Sequence, residues 1–265
     1  MTENGYAPVN GVDMYWESRG SGGTPLIVTH GGFGVTTMFG GLLDELADQR
    51  QVIAIELQGH GHTRDIDRSF SFESFADDIA AFAEHLGLGQ VDLLGYSLGG
   101  VSSLRATIQH PDLVGKLVVV SVPCRRTGWF PEVLAAMDRV GAAGFQMMRQ
   151  TPLYDAYAAV APDLDAFPAL MDRTGTLLRT PYDWTDEVRS ITAPTLLVYA
   201  DADSIPTSHA AEFFGLLGGG LADGSWDGSS PTEMRLAILP NTTHYNVFAS
   251  PLLADVVAEF LSDKA

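Results

Sequence analysis

LLGYSLGGVS, residues 93–102, sets one serine between two glycines, directly after an apolar run and directly before a helical pattern. Gly95, Ser97 and Gly99 spell G-x-S-x-G. VDLL (91–94) reads as a strand, GYSLGG as a turn and SLRATIQH as an amphipathic helix. A nucleophile at such a turn needs small neighbours, and Gly95 and Gly99 leave room for a strained backbone and for close strand-to-helix packing. Helix amides begin right after the serine, so the Leu98 N–H points at any oxyanion forming on a substrate. The competing reading is a serine that only satisfies a helix N-terminus, and the rest of the chain decides between them.

Working outward, the runs LIVT (26–29), VIAIEL (52–57), KLVVV (116–120), TLLVYA (195–200) and MRLAIL (234–239) are too short for helices and suit strands buried on both faces. Between them lie helical stretches, clearest in FESFADDIAAFAEHLG (72–87). There Phe75, Ile79, Phe82 and Leu86 share one face, Ser71 caps the start and Gly87 stops the end. VDMYWES (12–18), after the Asn10-Gly11 turn, alternates with period two and predicts an N-terminal hairpin. Strand–helix alternation predicts a mostly parallel sheet with helices on both faces, its ligands beyond the carboxyl ends of the strands.

The alternation stops between about Ser121 and Ser190. That stretch reads as short helices broken by Pro131, Pro152, Pro162, Pro168 and Pro181, and predicts a helical lid (121–190) inserted into one core domain (1–120 and 191–265). A second excursion, GLLGGGLADGSWDGSSP (215–231), reads as a flexible surface loop.

The 265 residues are 46% hydrophobic and 18% charged, a composition that can bury a sizeable core. A net charge of −18 with 15 scattered Lys and Arg argues against nucleic acid and anionic membranes as partners. Cys124 is the only cysteine, so no intrachain disulfide forms, and it reads as a small residue after a strand. MTENGYAPVNG lacks a basic segment followed by an apolar run, and a soluble cytoplasmic protein, monomer or homodimer, is the expectation.

Together these motifs resemble the α/β-hydrolase superfamily, in its serine-nucleophile branch with a helical lid (cap). HGGFG (30–34) is similar to the oxyanion loop, ELQGHGHT (56–63) to the glycine-rich turn and GYSLGG to the nucleophile elbow. Glu56 stands where many relatives carry Asp, and Thr63 where many carry Ser. The resemblance implies an eight-stranded twisted, mostly parallel sheet and a catalytic triad in the order Ser, acid, His. It assigns Ser97 as nucleophile and His244, in NTTHYN (241–246), as base. For the acid it favours Asp203, three residues before Pro206 in YADADSIP (199–206), over Asp201. The oxyanion hole falls to the amides of Leu98 and Gly32, with Phe33 as alternative second donor.

The function so implied is a serine hydrolase cleaving an ester, lactone or related acyl bond of a small, largely apolar molecule through an acyl-enzyme. Alternatives on the same triad are a carbon–carbon bond hydrolase and a cofactor-free perhydrolase, and from another class a small-ligand-binding protein or receptor. Candidate pocket residues are Phe33 and Tyr96 beside the oxyanion loop and elbow, Trp129, Phe130, Met147, Tyr154 and Trp184 in the lid, and Tyr245 beside His244. No cofactor or metal is expected, because no histidine pair has ligand spacing with carboxylates. His30 is expected to brace the oxyanion loop, His60 and His62 to hydrogen-bond within the glycine-rich turn or to reach the pocket, His85 to close a helix, and His110 and His209 to be exposed.

Overall fold

Asn10 and Gly11 both have positive φ (48° and 86°), as a two-residue type I′ turn requires, and fold β1 (Glu3–Val9) back on β2 (Val12–Arg19). The computed structural model describes residues 2–227 and 232–262, so 228–231 of the stretch read as a surface loop lie outside the described residues. After β3 (Leu26–Thr29) come α1 (Leu42–Leu46), β4 (Val52–Ile55), α2 (Phe72–His85), β5 (Val91–Tyr96), α3 (Leu98–Gln109) and β6 (Val114–Val120). The segment that follows carries α4 (Pro131–Met137), α5 (Phe145–Met148), α6 (Pro152–Val160) and α7 (Phe167–Arg179). The chain then returns to the sheet with β7 (Thr195–Ala202), α8 (Thr207–Leu216), β8 (Arg235–Thr243) and α9 (Pro251–Leu261). Among the described residues no helix is long and apolar enough to cross a membrane.

The eight strands form one sheet in the order β1-β2-β4-β3-β5-β6-β7-β8, antiparallel at β1-β2 and β2-β4 and parallel elsewhere. Strand residues alternate between two cores. Leu26, Val28, Leu94 and Val118 pack with α1 and α9 through Leu43, Val257 and Leu261. Ile27, Leu93, Leu117 and Val119 pack on the opposite face with α2, α3 and α8 through Phe75, Leu104 and Phe213. A strand covered on both faces has no polar side to show, which is why its sequence reads as an unbroken apolar run.

α2 follows its sequence signals. Ser71 Oγ accepts from the Ser74 amide, and Gly87 (φ 64°) ends the helix while Leu88 N bonds back to Ala83 O and Gly87 N to Glu84 O.

β8 differs from expectation. As the edge strand it leaves Arg235 exposed and Ile238 40% exposed, because only β7 covers it laterally. The prolines of 121–190 also act differently from simple breakers. Pro131 and Pro152 open α4 and α6, and Pro168 sits in the first turn of α7, where a missing N–H is harmless. In β2, Trp16 is only half-buried, lying over Gly5, while Ser18 is buried and accepts from Gln51 Nε2.

Candidate active site

Ser97 stands between β5 and α3 with φ 51° and ψ −118°, a conformation L-residues seldom adopt. Its amide donates to Val120 O at 3.0 Å, tying the turn to β6. A Cβ on Gly95 would lie 2.5 Å from Gly100 Cα, and one on Gly99 would strike the Thr29 and His30 carbonyls. Only glycine permits these approaches, so the motif's spacing is a packing requirement before it is a chemical one. The strained turn thrusts Ser97 Oγ out beyond the carboxyl end of β5.

The loop after β3 arrives at the same place. Gly99 N donates to His30 O at 2.9 Å, and Gly34 N closes on Gly31 O at 3.0 Å across a turn in which Phe33 has φ 61°. Among the described residues the amides of Gly32, Phe33 and Leu98 donate to no protein acceptor. His30 holds this loop against the chain after β4: its Nδ1 faces Gly31 O at 2.8 Å, and its Nε2 accepts from Leu57 N at 3.1 Å. Burial pushes the His30 imidazole down to about 3, so it works as a neutral brace.

From the far end of the sheet, His244 places Nε2 3.2 Å from Ser97 Oγ and Nδ1 3.1 Å from Asp203 Oδ1. Asp203 follows β7 and accepts from Ser121 Oγ, Ala200 N and Ser204 N as well. Burial by itself would raise its pKa. The hydrogen bonds from His244, Ser121 and Ala200 outweigh that and hold the carboxyl below its ordinary value. Asp201 is exposed and does not reach the histidine. Its carboxylate accepts from Asn241 N and Thr242 N, pinning the stretch that carries His244.

Above Ser97 opens a cavity of about 640 Å³. Its floor includes Gly32, Phe33, Tyr96, Leu98 and His244, and its wall takes Trp129, Met137, Leu153, Leu177 and Tyr182 from the segment after β6. Of the pocket candidates, Phe33, Tyr96, Trp129 and Tyr245 line it; Phe130, Met147, Tyr154 and Trp184 do not. Trp184 packs edge-on against Phe72, Tyr154 packs on Phe145 and Phe167, Phe130 gives its amide to Ser204 O, and Met147 is 78% exposed. An apolar helical residue reads alike whether it packs the segment or faces its cavity.

The sequence matches the alpha/beta hydrolase fold family over residues 24–232. The chain belongs to the α/β-hydrolase family. It is 32% identical over 143 residues to 2-(acetamidomethylene)succinate hydrolase of Mesorhizobium japonicum, a match covering 53% of this chain and 50% of that protein. The first curated relatives are matched over 50%, 33% and 31% of their own lengths. Two solved structures share the fold along nearly the whole chain. An E-2-(acetamidomethylene)succinate hydrolase is 21% identical with TM-score 0.74, covering 98% of this chain and 99% of that one. The Bacillus subtilis carboxylesterase CesB (YbfK) is 20% identical with TM-score 0.75, covering 100% and 93%.

Within this α/β-hydrolase, two hydrogen bonds of the site escape a reading of motifs, although Tyr96 itself is among the pocket candidates. Ser121, buried at the end of β6 with φ 57°, donates to Asp203, and Tyr96 OH donates to His244 O at 2.6 Å. The signal for each is position only, a polar residue at the carboxyl end of a strand. Glu56 is fully buried and accepts from the amides of Thr36 and His62, and Thr63 Oγ1 donates to Glu56 O and accepts from Tyr15 N. His62 stacks on Tyr15 (3.9 Å between ring centroids) and faces Glu56, away from the cavity. His209 corrects an expectation. It is buried, because the α8 first turn packs under Cys124, whose amide donates to His209 Nε2 at 3.3 Å while Glu212 lies 3.4 Å from Nδ1. Burial pushes the Cys124 thiol up to about 11, which suits a packing residue.

Proposed function

We propose that the protein is a serine hydrolase that opens an ester, lactone or related acyl bond of a small, largely apolar substrate. Ser97 Oγ attacks the carbonyl carbon while His244 Nε2 takes its proton, and Asp203 keeps the histidine proton on Nδ1 and offsets the imidazolium charge. The oxyanion is held by the Leu98 amide and by that of Gly32, with Phe33 as alternative. Such donors are worth roughly 3 to 4 kcal/mol each in comparable sites. His244 then returns the proton to the leaving oxygen, and water activated by the same nitrogen opens the acyl-enzyme. Residues 121–190 act as a lid over a core formed by 1–120 and 191–265.

The observation that carries this reading is the hydrogen-bonded chain from Ser97 through His244 to Asp203, at 3.2 and 3.1 Å, opening on an apolar cavity. Free amides of Gly32, Phe33 and Leu98 beside the serine support it. Its test is fluorophosphonate labelling followed by a panel of chromogenic esters, lactones and a vinylogous diketone, run beside Ser97→Ala. Labelling confined to Ser97 and turnover lost in the variant are expected. A folded protein that binds apolar ligands yet resists the label would overturn the reading.

A further inference from the structure

The polar side chains lining the cavity mostly have their hydrogen bonds satisfied within the protein. Tyr96 OH donates to His244 O, Thr151 Oγ1 to Met148 O and Tyr182 OH to Pro123 O. Thr174 Oγ1 has no partner among the described residues but is sealed from solvent. Arg126 is different. Among the described residues it is the one lining side chain with a permanent charge. Its Nε donates to Leu178 O and its Nη2 to Asp138, while Nη1 has no protein acceptor among the described residues and is not closed off. Arg125 and Arg179, on the same segment, do not line the cavity. Arg125 forms a two-pronged pair with Glu212, and Arg179 holds the carbonyls of Asp138 and Val140.

Helix α7 shows how far this cation stands from the chemistry. Thr174 lies over the oxyanion loop, its Cγ2 4.0 Å from where a Gly32 Cβ would be. Leu178, whose carbonyl Arg126 holds, comes one turn later, about 6 Å along the helix. Leu177 and Leu178 line the cavity beside it. A substrate whose carbonyl sits at Ser97 therefore meets apolar wall for roughly one helical turn and then the open Nη1 of a guanidinium whose Nη2 is paired with Asp138. Nη1 of this guanidinium can donate to a carboxylate oxygen in a charge-assisted hydrogen bond, and in an apolar cavity that contact is screened far less than in water. With a chain net charge of −18, an anion has little reason to enter unless one placed cation receives it.

We infer that Arg126 is a specificity-determining residue that receives a carboxylate. The substrate class is then a short ester or lactone bearing a free carboxylate roughly one helical turn from the reacting carbonyl. This rests on the acyl-transfer reading of Ser97.

The test compares 4-nitrophenyl hemiglutarate, with the carboxylate on the acyl side, and 4-acetoxybutanoate, with it on the alcohol side, against the uncharged 4-nitrophenyl valerate and butyl acetate. At least one carboxylated ester should exceed its neutral counterpart tenfold in kcat/KM. Arg126→Gln should shrink that ratio at least tenfold, through KM, and Arg126→Lys, which keeps the charge but cannot hold Leu178 O and Asp138 while also reaching the cavity, should fall between. Equal losses on charged and neutral esters would make Arg126 a mere tie between α4 and α7 and overturn the inference, as would no preference in the wild-type protein. If no ester is turned over, the Ser97 reading fails alone. Calorimetry with 5-oxo-5-phenylpentanoate against valerophenone still decides the anion subsite: tighter binding of the acid, lost in Arg126→Gln, supports it, and equal binding overturns it.

Discussion

His244 Nε2 stands 3.2 Å from Ser97 Oγ across 147 residues of chain. The two meet because β5 and β8 are parallel members of one sheet whose carboxyl ends face the same way, so the turns beyond them share one side of the molecule. Asp203, at the end of β7 and next to β8, completes the contact from the intervening edge.

The two candidate acids separate by mutation. Asp203→Asn should lower kcat by about 10⁴-fold, the size of effect that a wrongly held histidine tautomer has in a Ser-His-Asp site. Asp201→Asn should be far milder, since Asp201 touches the backbone of Asn241 and Thr242 and not the imidazole. Steady-state kinetics on one chromogenic ester suffices, and equal losses would contradict the assignment.

Ser121→Ala removes a buried donor to the Asp203 carboxylate. Hydrogen bonds to charged groups are worth about 1.5 to 3 kcal/mol, so urea unfolding should show a loss in that range. The loss should fade at acid pH. Asp203 has a depressed folded pKa, so its contribution is present above the unfolded value and disappears as pH falls through the folded one. A loss independent of pH would assign the effect to packing.

Two buried histidines make the fold sensitive to mild acid. Burial pushes His30 down to about 3 and His60 down to about 4, whereas an unfolded imidazole titrates near 6.5. Below that pH the unfolded chain takes up protons the folded chain refuses, so stability falls as pH drops from about 6.5 toward 4. His60 alone accounts for a loss on the order of 3 kcal/mol. His60→Gln, which cannot charge, should flatten the fall in the urea midpoint between pH 6.5 and 4.5, and an unchanged slope would remove His60 from this account.

Thr174 carries a buried hydroxyl without a partner among the described residues, on a helix wall otherwise made of Leu170, Met171 and Leu177. Thr174→Val keeps the shape and drops the unsatisfied group, so the protein should become about 1 kcal/mol more stable. Destabilisation in thermal melts would mean that Oγ1 has a bond.

Much of this was legible along the chain because it is local. The runs at 26–29, 52–55 and 195–200 carry no charge because each lies between two helical layers, and the Ser71 and Gly87 signals act within one turn of backbone. Gly95 is equally local, set by the Gly99 and Gly100 backbone one turn away, whereas Gly99 answers to the Thr29 and His30 carbonyls at the end of β3, far back along the chain. By itself the sequence determined the strand–helix alternation, the serine turn, and the order in which Ser97, an acid and His244 appear. Tertiary structure alone decided what depends on distance through space. It set Asp203, which the resemblance already favoured, against His244, and left Asp201 exposed on the Asn241 and Thr242 amides. It brought Ser121 to Asp203 and the Tyr96 hydroxyl to the His244 carbonyl, buried His209, and sorted residues 121–190 into those facing the cavity, such as Trp129 and Arg126, and those packing elsewhere, such as Trp184 and Tyr154. The physical reason is that hydrophobic periodicity records whether a side chain leaves water, and not whether it does so against its own protein or against a cavity built for another molecule.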